Sequence, residues 1–118
     1  MMLLLFTGVT VGNQAPVVSA GSDVFGTTNI PFTLAGVVTD DGLPSATLSS
    51  LWTKISGPGV VTFVDATDPT SDCTIDTPGS YVLQLEGDDT LLQTTDTINV
   101  IISDPTSGSL TEDWVYWH

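Results

Sequence analysis

The chain has 118 residues, with 14 acids against a single base, Lys54, and a formal net charge of −13. That balance excludes nucleic acid, because phosphate binding needs clustered Lys or Arg, and it disfavours anionic membrane surfaces for the same reason. One cysteine, Cys73, excludes an internal disulfide. Only 13% of residues are charged while 41% are apolar, so the acidity is not that of a disordered tail. Twelve of the acids are Asp, and Thr, Gly and Pro are abundant. Asp suits turns and Thr suits strand surfaces, so the composition reads as strands and turns.

The start, residues 1–12, carries the apolar run Leu3, Leu4, Leu5 and Phe6. Spanning a bilayer takes about 20 apolar residues, so this run crosses no membrane. No basic residue precedes it, which leaves an atypical signal remnant or an apolar segment that packs. From 13 to 103, short apolar runs alternate with turn signals about every 8–12 residues, the spacing of a β-sandwich. Strands are predicted over 15–20, 31–39, 48–56, 60–64, 72–76, 80–86 and 95–103.

Within 80–86, Tyr81, Leu83 and Leu85 alternate with Val82, Gln84 and Glu86, so the first three are core candidates. Ile98, Val100 and Ile102 share one face of the last strand. The third strand is less regular, because Trp52 shares parity with Lys54; a bulge or two covered faces would explain it. Cys73 falls where an inward apolar residue belongs, which predicts a buried inert thiol. The end, 104–118, is a linker-like stretch followed by Trp114, Tyr116 and Trp117. Exposed aromatics at a terminus call for cover, on this domain or on a neighbour.

Several landmarks then fall in order. They are Asn13-Gln14-Ala15-Pro16-Val17-Val18-Ser19-Ala20-Gly21, Leu34-Ala35-Gly36-Val37-Val38-Thr39-Asp40-Asp41-Gly42, Trp52-Thr53-Lys54-Ile55-Ser56-Gly57-Pro58-Gly59, Pro78-Gly79-Ser80-Tyr81-Val82-Leu83-Gln84-Leu85 before Gly87-Asp88-Asp89, and Asp96-Thr97-Ile98-Asn99-Val100. Over about 13–103 the chain resembles a PKD-type, receptor-for-egg-jelly-related immunoglobulin-like domain of bacterial extracellular proteins. The resemblance implies an all-β, seven-stranded immunoglobulin-like sandwich, here with extra terminal segments. It implies Trp52 against the core and Tyr81 at a corner with its hydroxyl tied to backbone. It also implies an extracellular or cell-surface location and a role as spacer or adhesion unit.

Catalysis finds little to work with. The only histidine is His118, and Cys73 has no neighbouring base to activate it. The expectation is a non-enzyme. Hard cations take several oxygen ligands from loops. Some calcium-binding members of the resembled family pair an Asn-containing start with an Asp-Asp turn, and Asn13, Asp40 and Asp41 match that pattern here. Asp88 and Asp89 are a second candidate. The alternative is that both pairs only form turns.

Three functions compete. The first is a structural or adhesion module that spaces or joins neighbouring domains of surface proteins. The second is a self-assembling filament subunit joined through Leu3, Leu4, Leu5, Phe6, Trp114, Tyr116 and Trp117, with other copies as partners. The third is a carbohydrate-binding module that stacks sugars on Trp114 and Trp117.

Overall fold

The computed structural model describes residues 12–44 and 46–105. The apolar run Leu3, Leu4, Leu5 and Phe6 and the aromatics Trp114, Tyr116 and Trp117 lie outside the described residues, as does His118. Nine strand segments follow in chain order: β1 Val17–Ser19, β2 Val24–Thr27, β3 Phe32–Thr33, β4 Val37–Thr39, β5 Ser49–Ser56, β6 Val61–Phe63, β7 Asp72–Ile75, β8 Gly79–Asp88 and β9 Gln93–Ser103.

They make seven strands. The first strand changes sheets: β1 pairs antiparallel with β4, and β2 then pairs parallel with β9. The second strand is interrupted between β3 and β4. Across that gap Leu34 N donates to Ser71 O (2.9 Å) and Gly36 N to Pro69 O (3.0 Å), so its backbone stays paired. One layer holds β1–β4 and β3–β7–β6; the other holds β2–β9–β8–β5. This is the immunoglobulin-like sandwich.

The core forms between the layers. Ala20, Leu34, Trp52, Cys73, Ile75, Tyr81, Leu83, Leu85, Ile98, Val100 and Ile102 are all buried. The alternation along β8 and β9 explains most of that list, since a period of two sends every second side chain inward. Trp52 fills the centre. Its indole Nε1 donates to Pro69 O (3.0 Å), and its ring stacks on Phe63 with centroids 6.4 Å apart. The irregular third strand has a register shift between Lys54 and Ser56, which leaves Ile55 unpaired in the ladder with β8.

The strand missing from the sequence reading is β2, Val24–Thr27. Its four residues alternate too briefly to register as a period, and its partner is 76 residues away in sequence at Val100. Parallel pairing of this kind leaves no local turn signal.

Candidate functional site at the amino-terminal pole

Three loops meet at one end of the sandwich. The first is the stretch leading into β1, the second follows β4, and the third joins β8 to β9. Asn13 Nδ2 donates to Asp89 Oδ2 (2.9 Å), and Gln14 N donates to Asp41 Oδ2 (3.0 Å). The β1–β4 ladder, with Val17 opposite Thr39, draws the first two loops together. Val18, Val38 and Pro16 pack against Gly87, where a Cβ would lie 2.8 Å from both valines. Gly87 therefore lets the third loop approach the other two.

The carboxylates here divide their work. Asp41 is spent on backbone, because Leu43 N donates to its Oδ1 (2.9 Å) and Gln14 N to its Oδ2. Asp40 accepts Gly42 N on Oδ2 (3.0 Å). Asp88 shapes the turn, accepting Thr90 N (2.7 Å) and the Gln93 amide (3.1 Å). Asp89 is fully buried. Burial pushes its carboxyl upward, but hydrogen bonds from Leu92 N, Leu91 N and Asn13 outweigh this and hold it below the usual range.

Two oxygens stand apart. Asn13 Oδ1 and Asp40 Oδ1 are buried and accept no hydrogen bond. A buried acceptor without a donor costs about 1–3 kcal/mol, so each has a reason to meet a cation or another donor. Oxygen donors from an amide and a carboxylate suit a hard cation. Among the described residues no three His, Cys, Asp or Glu side chains converge as a ligand set, so an ion here would need Asn13 and backbone carbonyls in addition to carboxylate.

Sequence reasoning treated Asp88 and Asp89 as a separate pair. The structure splits them and brings Asp89 to Asn13, a contact across 76 residues that no local pattern announces.

The far pole is built from different chemistry. Tyr81 Oη donates to Thr77 O (2.7 Å) and accepts Gly59 N (2.9 Å). The Lys54 ammonium donates to Gly59 O (2.6 Å) and lies 6.0 Å from the Tyr81 ring centroid. Asp76 accepts Val60 N (2.8 Å) and the Thr77 hydroxyl (2.7 Å), which lowers its carboxyl. Cys73 is fully buried, and burial pushes its thiol up to about 12, so it holds no thiolate at neutral pH. No helix among the described residues is long and apolar enough to cross a membrane.

Comparisons with known proteins agree with this architecture. The family described as "K319L-like, PKD domain" matches residues 20–102. The chain is similar to the solution structure of the PKD domain from the KIAA 1837 protein, with 26% identity over 81% of this chain and 93% of that one, and a TM-score of 0.56. It is similar to the PKD domain of human KIAA0319 at 19% identity, covering 83% and 91%, with a TM-score of 0.57. A crystal structure of Drosophila N-cadherin EC1-3 shares 13% identity, covering 79% of this chain and 35% of that one, with a TM-score of 0.58. The last two likenesses speak for the fold alone. The matched span runs from the core residue Ala20 to the core residue Ile102 and takes in both layers of the sandwich, so the chain belongs to the K319L-like PKD domain family.

Proposed function

We propose that this chain is a non-catalytic extracellular module that spaces or joins surface components. The observation that carries the reading is where the chain enters and leaves the sandwich. The chain comes in beside Asp89, at the β8–β9 turn, and leaves after Ser103, at the other end of β9. Eleven residues of extended strand separate those points by about 33 Å. Copies or neighbours joined in series would therefore line up along the sandwich. Tension between the ends would pull β2 and β9 in opposite directions along their shared ladder, loading its bonds together. The family membership favours an extracellular setting.

Single-molecule pulling tests this. The full chain held by its two ends should unfold at a clearly higher force than the same chain held at Asn13 and Leu91, where strands peel one after another. Equal forces in the two geometries would sink the spacer reading.

The amino-terminal pole supports a second element of the proposal. Ca2+ would be held there by Asn13 Oδ1 and Asp40 Oδ1, with Asp89 bonded to the Asn13 amide, and would fix the direction in which the chain enters the sandwich. The two buried acceptors without donors support it. Titration with Ca2+ should release heat and raise the melting temperature, and Asn13→Ala should abolish both effects. A titration with no heat and no thermal shift would remove calcium from the proposal and leave the spacer reading standing.

A further inference from the structure

The outer face of the β2–β9–β8–β5 sheet carries an apolar band at the carboxy-terminal pole. Phe25 on β2 is 81% exposed, an unusual state for so large a ring. It pairs in register with Ile101 of β9, which is 38% exposed. Ile101 alternates with the buried Val100 and Ile102, and Phe25 with the half-buried Val24 and Gly26, so they face outward together. Further across, Val82 pairs with Asn99 on one side and Ser56 on the other, and the unpaired Ile55 is 54% exposed. The band crosses the sheet in about 15 Å.

Charge on this face is unevenly placed. Its outward carboxylates on β8, Glu86 and Asp88, lie at the opposite end, across from Thr95 and Gln93. Between them and the band come Thr97, Gln84 and Thr53, which are polar and uncharged. The carboxylate nearest the band is Asp23, two residues before Phe25, and it is engaged by the backbone amide of Asn99 (2.9 Å).

An aromatic segment is tethered nearby. Ser103, the last residue of β9, pairs with Thr27, two residues along β2 from Phe25. The chain therefore leaves the sandwich about 7 Å from the band. Beyond Pro105 the sequence runs on to Trp114, Tyr116 and Trp117, preceded by Glu112 and Asp113. The nine residues from Pro105 to Trp114 can span up to about 30 Å, more than enough to fold back over Phe25. A tether this short gives the aromatic segment an effective concentration on the order of millimolar at this face. A separate molecule at micromolar concentration competes poorly with that.

We infer that the aromatic segment 114–117 docks on its own domain, covering Phe25 and Ile101 on the outer face of the four-stranded sheet.

Tryptophan fluorescence reads this directly, because the third tryptophan, Trp52, is 1% exposed and answers little to external quenchers. In the full chain at low micromolar concentration, Trp114 and Trp117 should be shielded from acrylamide. Phe25→Asp should raise the quenching constant at least twofold, while Thr97→Asp on the same face should leave it near the parent value. Because Phe25 is exposed, its substitution leaves the core alone, and an unchanged near-ultraviolet spectrum checks this. A spin label at position 118 gives a second readout: it should broaden the amide signals of Phe25 and Ile101 but not those of Leu34 or Cys73. Equal quenching in the parent and in Phe25→Asp, or no broadening at Phe25, overturns the proposal. So does shielding that grows with protein concentration, because the segment would then sit on a second copy. None of these outcomes touches the spacer reading, which rests on where the chain enters and leaves the sandwich.

Discussion

Tyr81 shows how much one side chain can decide. Its ring is buried, and its hydroxyl closes two backbone groups at once, the carbonyl of Thr77 and the amide of Gly59. Replacing it with Phe keeps the ring and strands both groups, which should cost about 1–3 kcal/mol, read as a lower urea midpoint with unchanged slope. Gly57 guards the same ring. Its φ of +138° favours glycine, and a Cβ there would fall inside the Tyr81 ring. Cys73 is decided by burial alone. With its thiol pushed to about 12 and no exposed surface, it should resist alkylation in the native protein at pH 8 and react only once urea unfolds the chain. Rapid native labelling would contradict the packed core described around β7.

Among the elements, β8 and β9 carry the fold, and their alternation is readable directly from the residues. Tyr81, Leu83 and Leu85 point inward beside Ile98, Val100 and Ile102, and antiparallel pairing sets Tyr81 opposite Val100 and Leu83 opposite Ile98. The second strand is harder to read. Its centre, Leu34-Ala35-Gly36, leaves the regular ladder and donates instead to the Ser71 and Pro69 carbonyls, beside the Trp52 indole. A Cβ at Gly36 would lie 2.6 Å from Leu85, 2.8 Å from Pro69 O and 3.1 Å from Trp52. Gly36→Ala should therefore destabilise by about 1–3 kcal/mol through overpacking, measured by chemical denaturation. β2 lies beyond sequence reading for a different reason. Val24 and Gly26 face inward while Phe25 faces out, so the strand's largest apolar residue sits on the wrong side for a hydrophobic pattern.

For the whole molecule, the acidity is structural as much as electrostatic. Asp65, Asp76 and Asp89 all have carboxyls held below the usual range. Thr67 does this for Asp65, through its hydroxyl and amide; Val60 N and Thr77 do it for Asp76. At Asp89 hydrogen bonding overcomes burial. A carboxyl that titrates lower in the folded state than in the unfolded state stabilises the fold above the unfolded value, near pH 4. That stabilisation fades as the pH falls through the folded values. Protonation also relieves repulsion within a chain of net charge −13, which acts in the opposite direction. Comparing the parent with Asp76→Asn isolates the local part. Between pH 5 and pH 3 the parent should lose more melting temperature than the variant, and equal losses would show that these hydrogen bonds contribute no pH dependence.

What the residues determined by themselves was the class of fold and most of its core. A period of two in 80–86 and 95–103, Asp-rich turns and the order of the landmarks are local properties, and local properties survive in a one-dimensional reading. Asn13, Asp40 and Asp41 entered as candidate ligands through the family resemblance, not through any period or spacing. Only the tertiary structure decided that Asp89 bonds Asn13, that the chain enters and leaves the sandwich at opposite poles, and that Phe25 is turned outward next to Ile101. Each of these depends on strands far apart in sequence being paired in one register. A register is set by how two sheets close over Trp52 and Tyr81, not by any neighbour along the chain.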